Sequence, residues 1–215
     1  MATKIEQREA SLGKLLHAAL KLFVSQGYRS TTLEQIAGEA GLTKGAVYFY
    51  FGNKASVLVA LLDRVETQVV DATTEAVTRS GLSARDRMVT FLHSQARLGV
   101  THPNEVLLLI LMSLEFSRGE GEVVDRIARI YARLYTLVEG LIRTGQKAGE
   151  FRDDLPAREL SAIVMASHDG TFLEWYRRSS MLDGPNLVRA LRMIILNGLA
   201  RPAARGRKAR MRAKA

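Results

Sequence analysis

The chain has no cysteine and only four prolines among its 215 residues. Without cysteine it has no disulfide, no thiolate metal site and no cysteine nucleophile, which fits a protein of the reducing cytoplasm. The longest unbroken apolar run, residues 106–112, is seven residues long, whereas a membrane span needs ~20. The first 14 residues contain no apolar stretch that could act as a secretory signal. These absences exclude disulfide-scaffold and membrane-spanning classes, and the shortage of proline favours helix.

The net charge of +9 is concentrated at the two ends of the chain. Residues 1–54 carry a net charge of +3, residues 55–200 a net charge of −1, and residues 201–215 seven Lys or Arg with no acid. Basic ends around a neutral middle indicate a polyanionic partner, either nucleic acid or an anionic membrane surface. For residues 201–215 two interpretations stay open: a disordered solubilising extension, or a tail that contacts phosphates.

Helix-capping signals recur along the chain, and no segment alternates apolar and polar residues as a strand would. The pattern Thr-x-x-Glu at residues 3–6 is a capping box that opens a helix ending at Gly27. Overlapping boxes, Thr-x-x-Glu at 31–34 and Thr-x-x-Gln at 32–35, open a short second helix. Later helices are predicted to begin at Thr43, Asn53, Ser83, Asn104, Glu122, Pro156 and Gly184. The predicted fold class is therefore all-α, with about nine helices and short connections.

Residues 32–50 contain two short helical segments joined by a tight turn at Gly41. Glycine supplies the left-handed backbone that such a turn needs, and the small Ala37 lets the two helices cross closely. This is a helix-turn-helix pattern, whose second helix can enter the DNA major groove. The residues that would face the duplex are Thr43, Lys44, Gly45 and Ala46. Spacing alone leaves the function open, because similar helix pairs occur in proteins that do not bind DNA.

The segment 27–58 resembles the N-terminal DNA-binding domain of the tetracycline-repressor (TetR) family of regulators. The matching positions are Gly27, Tyr28, Thr31, Thr32, Ile36, Ala37, Ala40, Gly41, Lys44, Gly45, Tyr48, Phe51, Lys54 and Leu58. A weaker similarity is GEFRDDLP at 149–156, which resembles a turn between later helices of the family's C-terminal domain. The resemblance implies a three-helix DNA-binding head at 1–53 and a helical effector-binding and dimerisation domain at 54–200, followed by the basic tail.

The resemblance also implies a function. The chain would be a ligand-responsive transcriptional regulator that binds a palindromic operator in double-stranded DNA as a homodimer and is released by a small hydrophobic effector. A repressor is the favoured interpretation, and an activator stays open. The DNA-binding residues it implies are Arg29, Thr32, Thr43, Lys44, Gly45, Ala46, Tyr48, Phe49, Tyr50 and Lys54. Thr32 would contact phosphate through its hydroxyl and backbone N–H, and Ala46 could touch a thymine methyl. Tyr50 stands where the family often has histidine and can still hydrogen-bond a phosphate, whereas Phe49 can only pack.

Several of these side chains also have a purely structural interpretation. Tyr48 and Phe51 could be core aromatics of the head, and for Phe51 this is the favoured interpretation. Lys44 and Lys54, taken alone, would be solvated surface charges. If the segment binds DNA, Ala46 cannot hydrogen-bond a base. Base readout would therefore fall mainly to Lys44, Thr43 and Arg29, together with DNA shape.

The C-terminal helices carry candidates for effector binding and for the dimer interface. A mixture of apolar bulk with a few polar groups suits a small hydrophobic effector. The candidate effector-binding residues are Met112, Glu115, Phe116, Tyr131, Tyr135, His168, Phe172 and Trp175. Ordinary core packing is the alternative for each, including a hydrogen-bonded His168. The last two helices have apolar residues that look surplus to one subunit's core, namely Val188, Leu191, Ile195 and Leu199.

An enzyme and a membrane-surface protein are the alternative classes. The four histidines show no metal-binding spacing, and no Gly-x-Ser-x-Gly elbow occurs. Residues 140–147 have only a partial phosphate-loop pattern inside a predicted helix. We therefore expect no catalytic residue, no metal and no cofactor. A membrane-surface role would account for the basic tail but leaves residues 27–58 unexplained, so we expect no membrane partner.

Overall fold

The computed structural model describes residues 3–79 and 81–201. Within them the chain forms nine helices and no strand beyond one isolated bridge between Phe151 and Ala200, which confirms the all-α prediction. The helices are α1 (Lys4–Gln26), α2 (Leu33–Glu39), α3 (Lys44–Phe51), α4 (Lys54–Val77), α5 (Ala84–Thr101), α6 (Pro103–Glu115), α7 (Glu122–Lys147), α8 (Ala157–Arg178) and α9 (Gly184–Leu199). The expectations for the basic tail, apart from Arg201, lie outside the described residues.

The capping signals set most of the helix starts. Thr3 caps α1 in a complete capping box with Glu6, as the sequence predicts. Of the two overlapping boxes before α2, the structure uses the Thr32–Gln35 frame. Thr31 is instead buried, and its hydroxyl donates a 2.8 Å hydrogen bond to the Gly27 carbonyl. The choice of frame leaves the Glu34 side chain free for another partner.

One predicted helix start is wrong. Asn104 does not cap α6, because the helix begins at Pro103 with His102 in the N-cap position and no side-chain cap. Proline at the first helical position has its φ already set and no N–H to satisfy, so it starts a helix without a capping side chain. Asn104 therefore lies inside the first turn.

The chain divides into two compact units, each described here by itself. The first comprises Met1–Thr78 and His93–Leu134. In it α1 packs on α2, α4 and α6, and α4 also contacts α3 and α6. The core of this unit includes the fully buried side chains of Leu15, Phe23, Ile36, Val47, Leu58, Leu61, Leu62, Leu108 and Met112. The functional boundary that the sequence predicts at residue 53 stays a prediction.

Helix α4 contains a π-helical segment, Glu66–Asp71. In a regular α-helix the side chains of residues i and i+5 differ in direction by about 140°. In a π-turn, which has i→i+5 hydrogen bonds, they lie on the same side of the helix. Arg133 of α7 contacts both ends of the segment, with its Nη1 2.5 Å from the Glu66 carboxylate and its Nη2 2.7 Å from the Asp71 carboxylate. Arg126, two turns earlier on α7, binds the other Glu66 oxygen and lies 2.6 Å from Asp63. The π-turn is thus held by two arginines.

Of the residues that the structure describes, the second unit comprises 79, 81–92 and 135–201. In it α8 packs on α9, and residues 148–156 form the turn between α7 and α8 that the GEFRDDLP similarity predicts. Phe151 is buried in this turn and its ring lies against Gly145. The Arg152 backbone N–H donates to the Leu199 carbonyl at 2.8 Å, so the turn is tied to the end of α9.

Among the described residues, no single helix is long and apolar enough to cross a membrane. The helices Lys44–Phe51 and Lys54–Val77 reach the length and apolarity of a membrane span only when they are taken together, and the chain bends by 66° between them.

Candidate nucleic-acid interface

Helices α2 and α3 form a tight helix-turn-helix. Gly41 has a φ of +66°, a left-handed conformation that glycine adopts without strain. The Leu42 N–H donates to the Ala37 carbonyl at 2.9 Å and closes the turn. Ala37 and Val47 are buried between the helices, so the small side chain allows the close crossing that the sequence predicts.

The first turn of α3 is presented to solvent. Thr43 caps the helix, and its Oγ1 accepts a 3.3 Å hydrogen bond from the Ala46 N–H. The N–H groups of Lys44 and Gly45 precede the first possible intrahelical acceptors, and they add to the positive end of the helix dipole. A Cβ at Gly45 would meet only the Thr43 hydroxyl, at 3.9 Å. The chain itself therefore does not require glycine at this position.

The Lys44 side chain is not a free charge. Its Nζ lies 2.5 Å from the Glu34 carboxylate of α2 and 5.5 Å from the centre of the Tyr48 ring. The Tyr48 hydroxyl makes a long, 3.5 Å contact with the same carboxylate. The hydrogen bond from Lys44 lowers the pKa of Glu34 below its ordinary value, and the same bond raises the pKa of Lys44. The two groups therefore carry opposite charges on the exposed face of the helix pair.

Sequence reasoning does not select Glu34 as a site residue. Its position in the pattern at residues 31–34 suggests a capping role, which Gln35 takes over in the structure. The overlap of the two capping boxes is the sequence feature that could have identified Glu34. Only one of Glu34 and Gln35 can complete the capping box, so the other side chain can bind a different partner.

Phe49 and Tyr48 are exposed side chains of α3. Phe49 is 80% exposed and touches only the edge of the Tyr50 ring among the aromatic side chains described, at 5.3 Å between ring centres. Its expected packing role is therefore wrong within the subunit, because its position on α3 points away from Ala37 and Val47. Tyr48 is 43% exposed and is not a core aromatic. Phe51 is only half-buried.

Lys54 occupies a structural position. Its Nζ donates to the carbonyl oxygens of Tyr28 and Thr31, both at 2.7 Å, and to that of Arg29 at 3.3 Å. An ammonium group has three protons, so all of its donors are used inside the head. Burial lowers the pKa of Lys54, an effect that the charge of Glu115 opposes. The expected contact of Lys54 with the DNA backbone stays a prediction.

Arg29 and Thr32 lie near the start of α2. The Arg29 side chain is 85% exposed, with its Nε 3.4 Å from the Glu115 carboxylate. The Thr32 N–H donates to the Gln35 side chain at 2.8 Å, and the phosphate contact expected through this N–H stays a prediction. The Thr32 hydroxyl accepts from the Gln35 N–H and keeps its own proton to donate.

The candidate effector-binding residues fall into both units. Met112, Glu115, Phe116 and Tyr131 belong to the first, and Tyr135, His168, Phe172 and Trp175 to the second. Met112 is fully buried, and the Phe116 ring packs edge-on against Tyr28 at 5.1 Å between centres. His168 Nδ1 lies 2.8 Å from the Asp169 carboxylate. The effector role of these residues stays a prediction.

The candidate dimer residues need a correction. Ile195 and Leu199 are buried within their own unit, so they are not surplus apolar surface, and Val188 and Leu191 are half-buried. On α8 and α9 the exposed aliphatic side chains are Ile163, Met193 and Ile194. Periodicity in the sequence identifies the apolar face of a helix. It does not show which residues of that face the rest of the subunit covers and which it leaves exposed.

Within residues 3–79 and 81–201, no group of three or more His, Asp or Glu side chains is placed to hold a metal ion. The partial phosphate-loop pattern at 140–147 lies inside α7, where a regular helix offers no loop to surround a phosphate.

Two family models match the chain. Residues 15–61 match the model described as bacterial regulatory proteins of the tetR family. Residues 108–191 match the model of the tetracyclin repressor-like C-terminal domain.

Similar proteins of known structure or name are regulators. The MbdR regulator from Azoarcus sp. CIB is 47% identical, with a TM-score of 0.80 over 88% of this chain and 98% of its own. The transcriptional regulator SrpR of Pseudomonas putida is 30% identical over 80% of this chain and 78% of its own length. The FadR regulator from Bacillus subtilis, solved in complex with stearoyl-CoA, shares the fold at 21% identity, with a TM-score of 0.72 over 87% of this chain and 98% of its own.

These matches confirm the resemblance that residues 27–58 carry, and they exclude an enzymatic role, because the family is one of DNA-binding regulators. The chain therefore belongs to the TetR family of bacterial transcriptional regulators.

Proposed function

We propose that this chain is a cytoplasmic repressor that binds a palindromic operator as a homodimer and leaves it when a small hydrophobic effector binds. The observation that carries the DNA-binding part is the exposed first turn of α3. This turn has backbone N–H groups without intrahelical acceptors and lies at the positive end of the helix dipole. It also contains Gly45, a glycine that no contact inside the chain requires. Such a turn can approach base edges closely in the major groove.

The proposed contacts follow from what is exposed around this turn. Lys44 and Thr43 reach base edges, and Ala46 lies beside them for a thymine methyl. The Thr32 hydroxyl, the hydroxyl groups of Tyr48 and Tyr50, and Arg29 bind phosphates on either side. Phe49 supplies apolar contact with the sugar or a thymine methyl, which its large exposed area favours.

The homodimer is proposed to form through α8 and α9. These helices pack on each other and expose Ile163, Met193 and Ile194, of which Ile194 is 69% exposed. Exposed apolar side chains on two helices that pack on each other suit a self-complementary interface. A dimer is needed because two α3 helices must sit ~34–36 Å apart to reach successive major grooves.

The effector is proposed to act on the head through the end of α6. Glu115 lies against Arg29, and Phe116 packs on Tyr28, whose carbonyl is held by Lys54. A displacement of this end of α6 would therefore move the side chains of Arg29 and Tyr28, in the loop before α2. An effector that prefers the displaced state lowers operator affinity by its difference in affinity for the two states.

The proposal is tested by selecting fragments of the encoding genome with the purified protein and sequencing those retained. We expect a few fragments that share a palindrome, and binding at two subunits per palindrome. Stearoyl-CoA is the first effector probe, since a relative of the same fold is solved with it, and free CoA is its control. Retention of fragments without a common sequence would overturn the proposed function.

The dimer is tested by sedimentation of the wild type and of Ile194→Asp at micromolar concentration. We expect a dimer for the wild type and a monomer for the variant, because a charge on the apolar face must be desolvated to dimerise. Gly140→Ala, on α7, serves as a control that leaves this face unchanged. A monomeric wild type would overturn the homodimer.

A further inference from the structure

We propose that Glu34 determines DNA specificity by holding Lys44 in a charge pair that only the correct base pair replaces. The inference rests on the proposed function, because it concerns the same α3 surface. Glu34 belongs to α2 and Lys44 to α3, so the pair spans the helix-turn-helix at its exposed end.

The geometry places the carboxylate among the groups that read DNA. Glu34 Oε1 lies 2.5 Å from Lys44 Nζ and within 3.5 Å of the Tyr48 hydroxyl. The side chains of Glu34 and Lys44 are 48% and 62% exposed, so the pair faces solvent rather than the core. Gln35 rather than Glu34 closes the capping box with Thr32, and the Glu34 carboxylate pairs with Lys44.

A negative charge on this surface acts against non-specific binding. Non-specific affinity comes from the phosphates that Lys and Arg neutralise. Lys44 beside a phosphate brings the Glu34 carboxylate close to the same polyanion, and the repulsion offsets the attraction of the ammonium group. The pair therefore contributes little to binding on an arbitrary sequence.

A G·C base pair can satisfy both members of the pair at once. In the major groove guanine offers the O6 and N7 acceptors to Lys44, and cytosine offers its N4 amino donor to Glu34. The carboxylate is ionised at neutral pH, so its oxygens can only accept hydrogen bonds and are suited to an amino donor. An A·T pair also has an acceptor and an amino donor in the major groove, but adenine carries both. Its donor therefore lies at a different position from cytosine N4, and we expect the pair to discriminate by that position.

The same helix supplies a matched control. Glu39 of α2 forms an equally short ion pair, with its Oε1 2.5 Å from Lys21 Nζ of α1. Glu39→Gln removes the same charge from the same helix without touching a residue of α3. Glu34→Gln and Glu39→Gln both alter exposed side chains, and circular dichroism melting checks that both variants fold.

The experiment measures fluorescence anisotropy on the selected operator and on scrambled DNA of equal length, across a range of salt concentrations. For Glu34→Gln we expect tighter binding to scrambled DNA, with a salt slope steeper by ~0.9, the value for one more neutralised phosphate. We expect the ratio of operator to scrambled affinity to fall about tenfold, the loss of one base-pair discrimination. In a Lys44→Gln background, the added slope from Glu34→Gln should disappear.

The possible failures are distinguishable. A wild type that does not prefer the operator overturns the proposed function. A wild type with a clear preference, combined with equal changes in the Glu34→Gln and Glu39→Gln variants, overturns this inference alone. Retention of the specificity ratio in Glu34→Gln, even with tighter binding to both DNAs, also overturns it, because only the general charge would then matter.

Discussion

The ammonium group of Lys54 lies 4.4 Å from the centre of the Tyr28 ring and donates a 2.7 Å hydrogen bond to the Tyr28 carbonyl. One side chain at the start of α4 thus holds the loop between α1 and α2. Tyr28 also contacts Phe116 of α6. The loop is therefore the place where the DNA-reading helices, α4 and α6 meet.

Lys54→Met is expected to lower the free energy of unfolding by about 2 kcal/mol, because hydrogen bonds from a charged donor are lost and carbonyls lose their partner. Urea unfolding followed by circular dichroism measures the change. Lys44→Met is the control, since it removes an exposed lysine of the same head and should lower the free energy of unfolding far less than Lys54→Met. Equal losses in the two variants would show that Lys54 is no more structural than a surface charge.

Gly45→Ala is expected to separate stability from DNA binding. Alanine should stabilise α3 by ~0.5–1 kcal/mol, because the added Cβ meets no clash inside the chain. The same methyl should weaken operator binding about tenfold if the backbone of this turn lies against the DNA. Gly13→Ala in α1, where nothing lies within 4 Å of the added Cβ, should leave operator affinity unchanged. Unaltered operator binding by Gly45→Ala would argue against close approach of this turn.

Two glycines of α7 are expected to respond in opposite directions. A Cβ at Gly145 would overlap the buried ring of Phe151, whereas one at Gly140 meets nothing within 4 Å. Gly145→Ala should therefore destabilise the protein by ~1–3 kcal/mol through overpacking, and Gly140→Ala should stabilise it by up to ~1 kcal/mol. Chemical denaturation of both variants measures this; the same sign for both would contradict the packing of the 148–156 turn.

Glu66→Gln is expected to be far more damaging than Asp71→Asn. Glu66 is largely buried and bonds both Arg126 and Arg133. Its loss leaves these arginines only Asp63 and Asp71 as partners, and we expect a cost of about 1.5–3 kcal/mol from the lost charged hydrogen bonds. Asp71 is exposed at the end of the π-turn and should contribute less than ~1 kcal/mol. The comparison is made by thermal and urea unfolding, and similar costs would show that Glu66 is not the centre of the network.

Deleting residues 201–215 is expected to flatten the salt dependence of DNA binding. The segment carries seven basic residues, each able to add at most ~0.9 to the slope per phosphate neutralised. Anisotropy titrations of the full and shortened chains at several salt concentrations measure the slope, and the ratio of operator to scrambled affinity should stay the same. An unchanged slope would support the interpretation of a solubilising extension.

Local signals account for the parts of the fold that the sequence predicts. The caps at Thr3, Thr32, Thr43 and Asn53 join residues three apart, so a short stretch of sequence contains both partners. The turn at Gly41 depends on one residue's backbone freedom and is predicted for the same reason.

The features that sequence reasoning misses depend on contacts between distant residues. Lys54 finds its acceptors 23 to 26 residues away, and no local pattern shows that a motif lysine points inward. The role of Glu34 depends on which capping frame forms and on where α3 then places Lys44. The burial of Ile195 depends on how α9 packs on its neighbours. In each case the residue type is visible in the sequence, but its partner is set by tertiary packing.

The most direct test of the central claim is fluorescence anisotropy of the wild-type chain on DNA from just upstream of its own gene, beside scrambled DNA of equal length at two salt concentrations. A specific regulator should prefer the upstream segment by about a thousandfold, within the range of specific over non-specific binding. Equal and equally salt-sensitive binding to both DNAs would contradict sequence readout by α3, since it would leave only the electrostatic attraction of the basic residues.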